Sequence, residues 1–211
     1  MKQELDRVKE VLTAEDYQKA YTKEMRRLIC SVESYRKAHD EDVSHAEINS
    51  ISMRMKTCES TIDKLECKKR AITLDNTFQT INDLAGIRIV CLFLDDVYEI
   101  SQYIASLESV NILRVKDFIK KPKQSGYQSL HLIVEVSGKR YLDYPMKIEI
   151  QIRTVAMNFW SVLEYQLQYK KKNKEMKSLQ NQLKQLAGSI ALMDQEVQEI
   201  RRRIDRMKVE A

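Results

Sequence analysis

Residues that make turns are scarce in this sequence: four glycines and two prolines among 211 residues. That scarcity argues against a turn-rich all-β protein and favours long helices. Histidine is equally sparse, at three residues, and there are four cysteines. Cys30, Cys58, Cys67 and Cys91 form no Cys-x-x-Cys pair and have no histidine at ligand spacing, which removes the usual zinc frameworks. They read as reduced thiols of a cytoplasmic protein, packing as small hydrophobes. No apolar run approaches the roughly eighteen residues that a membrane span needs. The chain is charged from Lys2 onward, so no leader is expected either. Charge itself is plentiful. Lys and Arg number 36 against 31 Asp and Glu, a formal charge of +5 that suits anionic ligands without demanding nucleic acid.

The length suits one domain with a helical extension. Residues 3–38 lack Gly and Pro and are rich in Lys, Glu, Arg and Leu, which predicts one or two helices; a more polar stretch from His39 to about Ser52 contains a break. Helical spacing returns over Thr57–Arg70 and Leu74–Leu84. From Gly86 the pattern changes: Ile87–Leu94 is a mostly apolar, β-branched run, as expected of a strand covered on both faces. Asp95-Asp96 opens a helix to about Leu107, with acidic residues where the helix dipole favours them. Strands are expected near 111–118, 129–137 and 146–153, then a helix over 154–171. Finally Leu179, Leu183, Leu186, Ile190, Met193, Val197, Ile200, Ile204 and Met207 alternate steps of four and three, a heptad seam that predicts a partner helix from another subunit. The organisation expected is a helical region over 1–50, an α/β (α+β) domain over 51–172 with a mixed sheet between helical layers, and an oligomerising helix over 173–211.

Chemistry concentrates on two strands. Glu149, Gln151 and Arg153 share one strand face, as residues two apart do, and a carboxylate, an amide and a guanidinium together suit a ligand better than a core. Tyr127, Ser129 and His131 share a face of the other strand, just after Gly126. Arg54, Lys56, Ser60 and Lys64 form one basic group, and Lys116, Lys120, Lys121 and Lys123 a second. Singly, such charges are ordinarily a solvated face. Beside a glycine turn, several cations suit phosphate. Asp83 and Glu149 near clustered cations suggest a divalent metal of the Mg²⁺ type carried on a polyphosphate, although each acid taken alone is explained as well by a lysine partner. His39-Asp40 has the look of a metal-dependent phosphohydrolase pair, but His45 and His131 are the remaining histidines, so it reads as a helix-end turn.

Four segments together resemble the synthetase domain of the RelA/SpoT homologues: Asp83-Leu84-Ala85-Gly86-Ile87-Arg88, Arg114-Val115-Lys116-Asp117, Pro122-Lys123-Gln124-Ser125-Gly126-Tyr127-Gln128-Ser129-Leu130-His131 and Glu149-Ile150-Gln151-Ile152-Arg153-Thr154. Asn158-Phe159-Trp160, Glu164 and Tyr169-Lys170 follow in the same order. The resemblance covers about residues 50–172, and without hydrolase or regulatory domains the chain is similar to the stand-alone small alarmone synthetases. It implies a nucleotidyltransferase-like mixed β-sheet, a homo-oligomer of the tetrameric kind, and transfer of the β,γ-diphosphate of ATP to the 3′-hydroxyl of GDP or GTP. By that resemblance Asp83 and Glu149 hold Mg²⁺, with Glu149 also available as the base. Arg54 and Arg88 sandwich adenine, while Lys56, Ser60 and Lys64 hold the ATP phosphates. On the acceptor side Tyr127 stacks on guanine and Lys116 and Lys123 bind phosphate, with Ser125, His131, Gln151 and Asn158 completing the pocket.

Two other readings stay open on the sequence. The acceptor is an adenosine nucleotide or the 3′ end of tRNA in some relatives, and stacking separates bases weakly. The lysine runs Lys120–Lys123 and Lys170–Lys174 also suit an oligomeric RNA-binding regulator, or RNA as a regulatory input to an enzyme.

Overall fold

The computed structural model describes residues 2–39, 46–169 and 176–209, with side chains for 2–39, 46–167 and 180–208. Asp40, His45, the run Lys170–Lys174 and the side chains of Tyr169 and Leu179 lie outside that description. The N-terminal segment forms two helices, α1 (Lys2–Thr13) and α2 (Glu15–Ala38), broken at the extended Ala14. Tyr17, Tyr21, Met25, Leu28 and Val32 recur at helical spacing and are buried, so α2 lays one apolar stripe on the core. His39 ends α2 in a turn.

The stretch expected to hold only a break contains a strand instead, β1 (Ile48–Met55). Its residues are mostly exposed, so the strand lacks the apolar run or clean alternation that marks a strand in sequence. Next come α3 (Cys58–Cys67) and α4 (Leu74–Thr80). Each is capped by a threonine hydroxyl, Thr57 accepting from the Ser60 N–H and Thr73 from the Asn76 N–H. α4 stops four residues before Leu84 because Ile81 turns extended, and the chain then delivers Asp83 to the start of β2. β2 (Ala85–Cys91), α5 (Leu94–Ser106), β3 (Val110–Asp117), β4 (Leu130–Tyr141), β5 (Tyr144–Thr154) and α6 (Val155–Tyr169) follow, all within a few residues of expectation except a longer β4–β5 hairpin. The last element is α7 (Met176–Val209). No helix among the described residues is long and apolar enough to cross a membrane.

The sheet order is β1-β2-β5-β4-β3, with β2 and β5 parallel and every other neighbouring pair antiparallel. Ile87, Ile89, Ile148, Ile150 and Ile152 alternate along the two central strands and are buried, forming one core with α2 and α5. Each such side chain contributes about 1.5–3 kcal/mol of burial. Buried residues of α1 and α2 belong to that same core. The other sheet face carries the polar residues.

α7 departs from the single seam read in its heptads. Leu183 and Ile190, with Ala187 between them, bury against Trp160 and Tyr127 of the same chain. Leu186, Met193, Val197, Ile200, Ile204 and Met207 are exposed. A strict seven-residue repeat drifts by about 20° per heptad around a straight helix. The seam therefore begins on the domain face and leaves it toward the C-terminus, where Asp194, Gln198 and Arg201 take over the domain contacts.

Candidate active site

Directly opposed residues in a sheet share a face. The register aligns Ser52, Arg88, Gln151, His131 and Lys116 into one row across all five strands. The next row contains Arg54, Gly86 and Glu149. At Gly86 the missing side chain leaves room that the Arg54 side chain covers, with Arg54 Cγ 3.7 Å from where a Cβ would stand.

Two cavities open on these rows. One, of about 230 Å³, is lined by Ser52, Met53, Ile87 and the backbone of Gly86. The second, of about 440 Å³, reaches Lys116, Phe118, Lys123, Ser125, Tyr127 and His131, with Ser161 and Glu164 of α6 on its far side. Both share Arg54, Asp83, Arg88, Glu149 and Gln151 as a common wall. The larger carries six cationic side chains (Arg54, Lys64, Arg88, Lys116, Lys123, Arg153) against three acids (Asp83, Glu149, Glu164).

Asp83 sits between two ammonium groups, with Lys64 Nζ 2.7 Å from Oδ1 and Lys56 Nζ 3.2 Å from Oδ2. Burial pushes its carboxyl pKa up, but the hydrogen bond and charge of Lys64 and the charge of Lys56 outweigh it, and the net shift is downward. Glu149 behaves alike. Burial raises its pKa, yet hydrogen bonds from His131 and Gln151 bring it down to about 2.

Glu149 belongs to a closed ring of side chains. Arg153 Nη2 donates both to Tyr127 Oη (2.9 Å) and to Gln151 Oε1 (2.6 Å). Gln151 Nε2 donates to Glu149 Oε2 (2.9 Å). On the other branch Tyr127 Oη lies 2.8 Å from His131 Nε2, and His131 Nδ1 lies 3.4 Å from Glu149 Oε1. A guanidinium only donates and a carboxylate only accepts. The hydroxyl of Tyr127, accepting from Arg153, donates to Nε2, which leaves the Nδ1 proton facing Glu149. Arg153 itself is 1 % exposed, and its Nε and Nη1 have no hydrogen-bond partner among the described residues. Burial, helped by the like charges of Arg88 and Arg54, lowers its pKa to about 10.

Most residues singled out in the sequence converge here, with exceptions. Ser60 lies at the start of α3, where its hydroxyl accepts from Thr57. Lys120 turns away, 3.9 Å from the Asp117 carboxylate and over the Tyr98 ring. Asn158, one turn before Ser161 on α6, has a buried Oδ1 with no partner among the described residues. Tyr127 is only 9 % exposed, and its ring face is covered by the Lys123 ammonium at 4.5 Å. Stacking of a base there requires Lys123 to move.

Residues 53–174 match the family described as the region found in RelA / SpoT proteins. The chain belongs to the RelA/SpoT family. It is 39 % identical over 163 residues to the GTP pyrophosphokinase YwaC of Bacillus subtilis, covering 76 % of this chain and 77 % of that one. To YjbM of the same organism, also a GTP pyrophosphokinase, it is 30 % identical over 186 residues (86 % and 85 % covered). The crystal structure of B. subtilis small alarmone synthetase 1 bound to its product pppGpp superposes with a TM-score of 0.77 at 27 % identity, covering 90 % of this chain and 97 % of that one. The RelA/SpoT fold, a mixed five-stranded sheet with a long C-terminal helix, is thus shared.

In this RelA/SpoT site the sequence reading passed over Phe118 and Ser161, and it placed Arg153 on the ligand face without giving it a role. The position of Arg153 on the Glu149 face was visible, but its partner Tyr127 lies 26 residues away, which no strand pattern reveals.

Proposed function

We infer that the protein transfers the β,γ-diphosphate of ATP to the 3′-hydroxyl of GDP or GTP, releasing AMP and making ppGpp or pppGpp. One observation carries this reading. Two adjoining cavities share a wall of two carboxylates and two arginines, and the larger has an excess of cations. A group transfer between two nucleotides needs two seats meeting at one reacting centre, and cations to meet charge on phosphate oxygens.

The donor takes the cavity beside β1 and β2, with adenine between Arg54 and Arg88 by guanidinium stacking. Lys56 and Lys64 hold its phosphates. Lys56 and Lys64 now rest on Asp83, so the incoming phosphates compete for ammonium groups already in place. The acceptor takes the second cavity. Lys123 leaves the Tyr127 face for the acceptor phosphates, joined by Lys116, and the freed ring receives guanine. Ser125, His131 and Gln151 line that seat. Glu149, ionised and held at both oxygens, accepts the proton of the attacking 3′-hydroxyl as the bond to the β-phosphorus forms and the bond to the AMP oxygen breaks.

Asp83 and Glu149 also suit Mg²⁺. They face one pocket closely enough for the charge of Glu149 to oppose ionisation of Asp83. Mg²⁺ is ordinarily held by one or two carboxylates plus substrate phosphates rather than by an all-protein cage, and two such acids fit that mode. When bound, Mg²⁺ supplies charge to the transferred phosphates.

The exposed apolar stripe of α7 pairs with the same helix of another copy, giving a homo-oligomer of the tetrameric kind, and the working compartment is the cytoplasm. The deciding assay combines purified protein, Mg²⁺, γ-labelled ATP and GDP or GTP, resolved by thin-layer chromatography. Label in ppGpp or pppGpp with matching AMP supports the assignment. Label confined to ATP with both guanosine acceptors overturns it, and transfer to an adenosine nucleotide or tRNA instead moves the acceptor.

A further inference from the structure

We propose that α7 backs the turn carrying Lys123 and Tyr127, which line the acceptor seat, and that Ala187 is the positioning residue for that turn; this rests on the acceptor assignment above. That turn is tied to itself at both ends, the Gly126 N–H donating to the Lys123 carbonyl (2.9 Å) and the Lys123 N–H to the Tyr127 carbonyl (3.1 Å). It therefore moves as one piece. Its tip, Gly126, has φ +95° and lies so close to α7 that an added Cβ would stand 2.5 Å from Ala187 Cβ and 3.5 Å from Lys184 Cα. Ordinary carbon contacts are about 3.5–4.0 Å. Two minimal side chains thus set the height of the turn over the pocket.

α7 is fixed at the same level. Trp160 Nε1 donates to the Leu183 carbonyl (2.9 Å), one turn before Ala187, and Trp160 Cζ2 stands 3.6 Å from the same Gly126 position. Leu183, Ala187, Ile190, Trp160 and Tyr127 form one buried cluster, separate from the main core. Farther along, Asp194 accepts from the Thr154 hydroxyl (2.6 Å), whose oxygen accepts in turn from the Met157 N–H and so caps α6. None of these contacts touches the wall of the donor cavity formed by Ser52, Met53 and Ile87. A larger residue at 187 must push the turn, and with it Lys123 and Tyr127, while the donor seat stays where it is.

The experiment is the series Ala187→Ser, Ala187→Val and Ala187→Leu, with Trp160→Phe as an independent loosening of α7. Displacing a positioned group by about 1 Å can cost up to about a hundredfold. The expected result is a KM for GDP or GTP that rises with side-chain size, about tenfold for Val or Leu, with the KM for ATP within about twofold. Binding of GDP alone and of a non-hydrolysable ATP analogue alone, measured by calorimetry, splits the same way, and Trp160→Phe weakens the acceptor selectively. Equal loss on donor and acceptor, or an unchanged acceptor constant, overturns the proposal. Should the Leu variant fail to fold, the Ser and Val variants decide. Hydrogen exchange at the amides of Lys123 and Gly126 keeps this proposal separate from the functional assignment. Faster exchange there in Ala187→Val, with β5 unchanged, supports the contact even if the wild type transfers nothing to guanosine nucleotides; unchanged exchange refutes it.

Discussion

Tyr127→Phe separates two roles for one ring. As a stacking platform alone, Tyr127 loses nothing on becoming Phe, because the π-face is kept. The structure gives the hydroxyl a second task, joining Arg153 to His131 at 2.9 and 2.8 Å. All three side chains are buried, so the change removes two hydrogen bonds and leaves a buried imidazole nitrogen without a partner. At about 1 kcal/mol for each of the two lost bonds and about 1–3 kcal/mol for the stranded group, the loss is about 3–5 kcal/mol. For a chain of this size that lowers Tm by about 6–20 °C. Urea and thermal unfolding at pH 7 and fixed protein concentration measure it. GDP affinity stays within about threefold, since the ring remains, whereas Tyr127→Leu loses both stability and acceptor binding. A Phe variant within about 0.5 kcal/mol of wild type refutes the ring as a stabilising unit.

Other outcomes follow from the same geometry. Asp83→Asn and Glu149→Gln each lower synthesis by about 10²–10⁴-fold while light scattering shows an unchanged oligomer; wild-type-like turnover in either sinks the assignment of these acids. The Glu149 carboxyl, ordinarily near 4.5, is held down to about 2, so its contribution is complete above about pH 4.5 and is lost as pH falls toward 2. That contribution is on the order of 3 kcal/mol, and unfolding free energies of wild type and Glu149→Gln between pH 2 and 6 should converge at the acid end. Ile200→Glu, in the exposed part of the α7 stripe, dissociates the oligomer with little change in the far-ultraviolet spectrum; an unchanged mass places the subunit interface elsewhere.

The site was more legible in sequence than the framework around it. Glu149, Gln151 and Arg153 share a face because a strand repeats every two residues, and that rule survives folding without help. β1 was invisible because an edge strand with mostly exposed residues has no burial pattern to display. Its absence hid how Arg54 and Arg88 meet, since they are diagonal neighbours only through the β1–β2 pairing. The heptads of α7 announced an apolar seam correctly but not its division. Which part packs at home depends on where the helix docks, and that is set by Trp160 and Gly126 rather than by α7 itself. Lys120 and Lys123 look alike in sequence, and the turn at Gly126 sends one to the pocket and the other to Asp117.

The central strand β5 carries two messages on alternate residues: Ile148, Ile150 and Ile152 specify the core, and Glu149, Gln151 and Arg153 specify the site. A pairing slip of one residue would exchange them, burying a carboxylate, an amide and a guanidinium under α5 while exposing three isoleucines. No partly correct version exists between these states. Such a strand proofreads itself: a molecule with the wrong register loses its core and its chemistry together, so preparations should differ in the fraction of active molecules rather than in the rate of each.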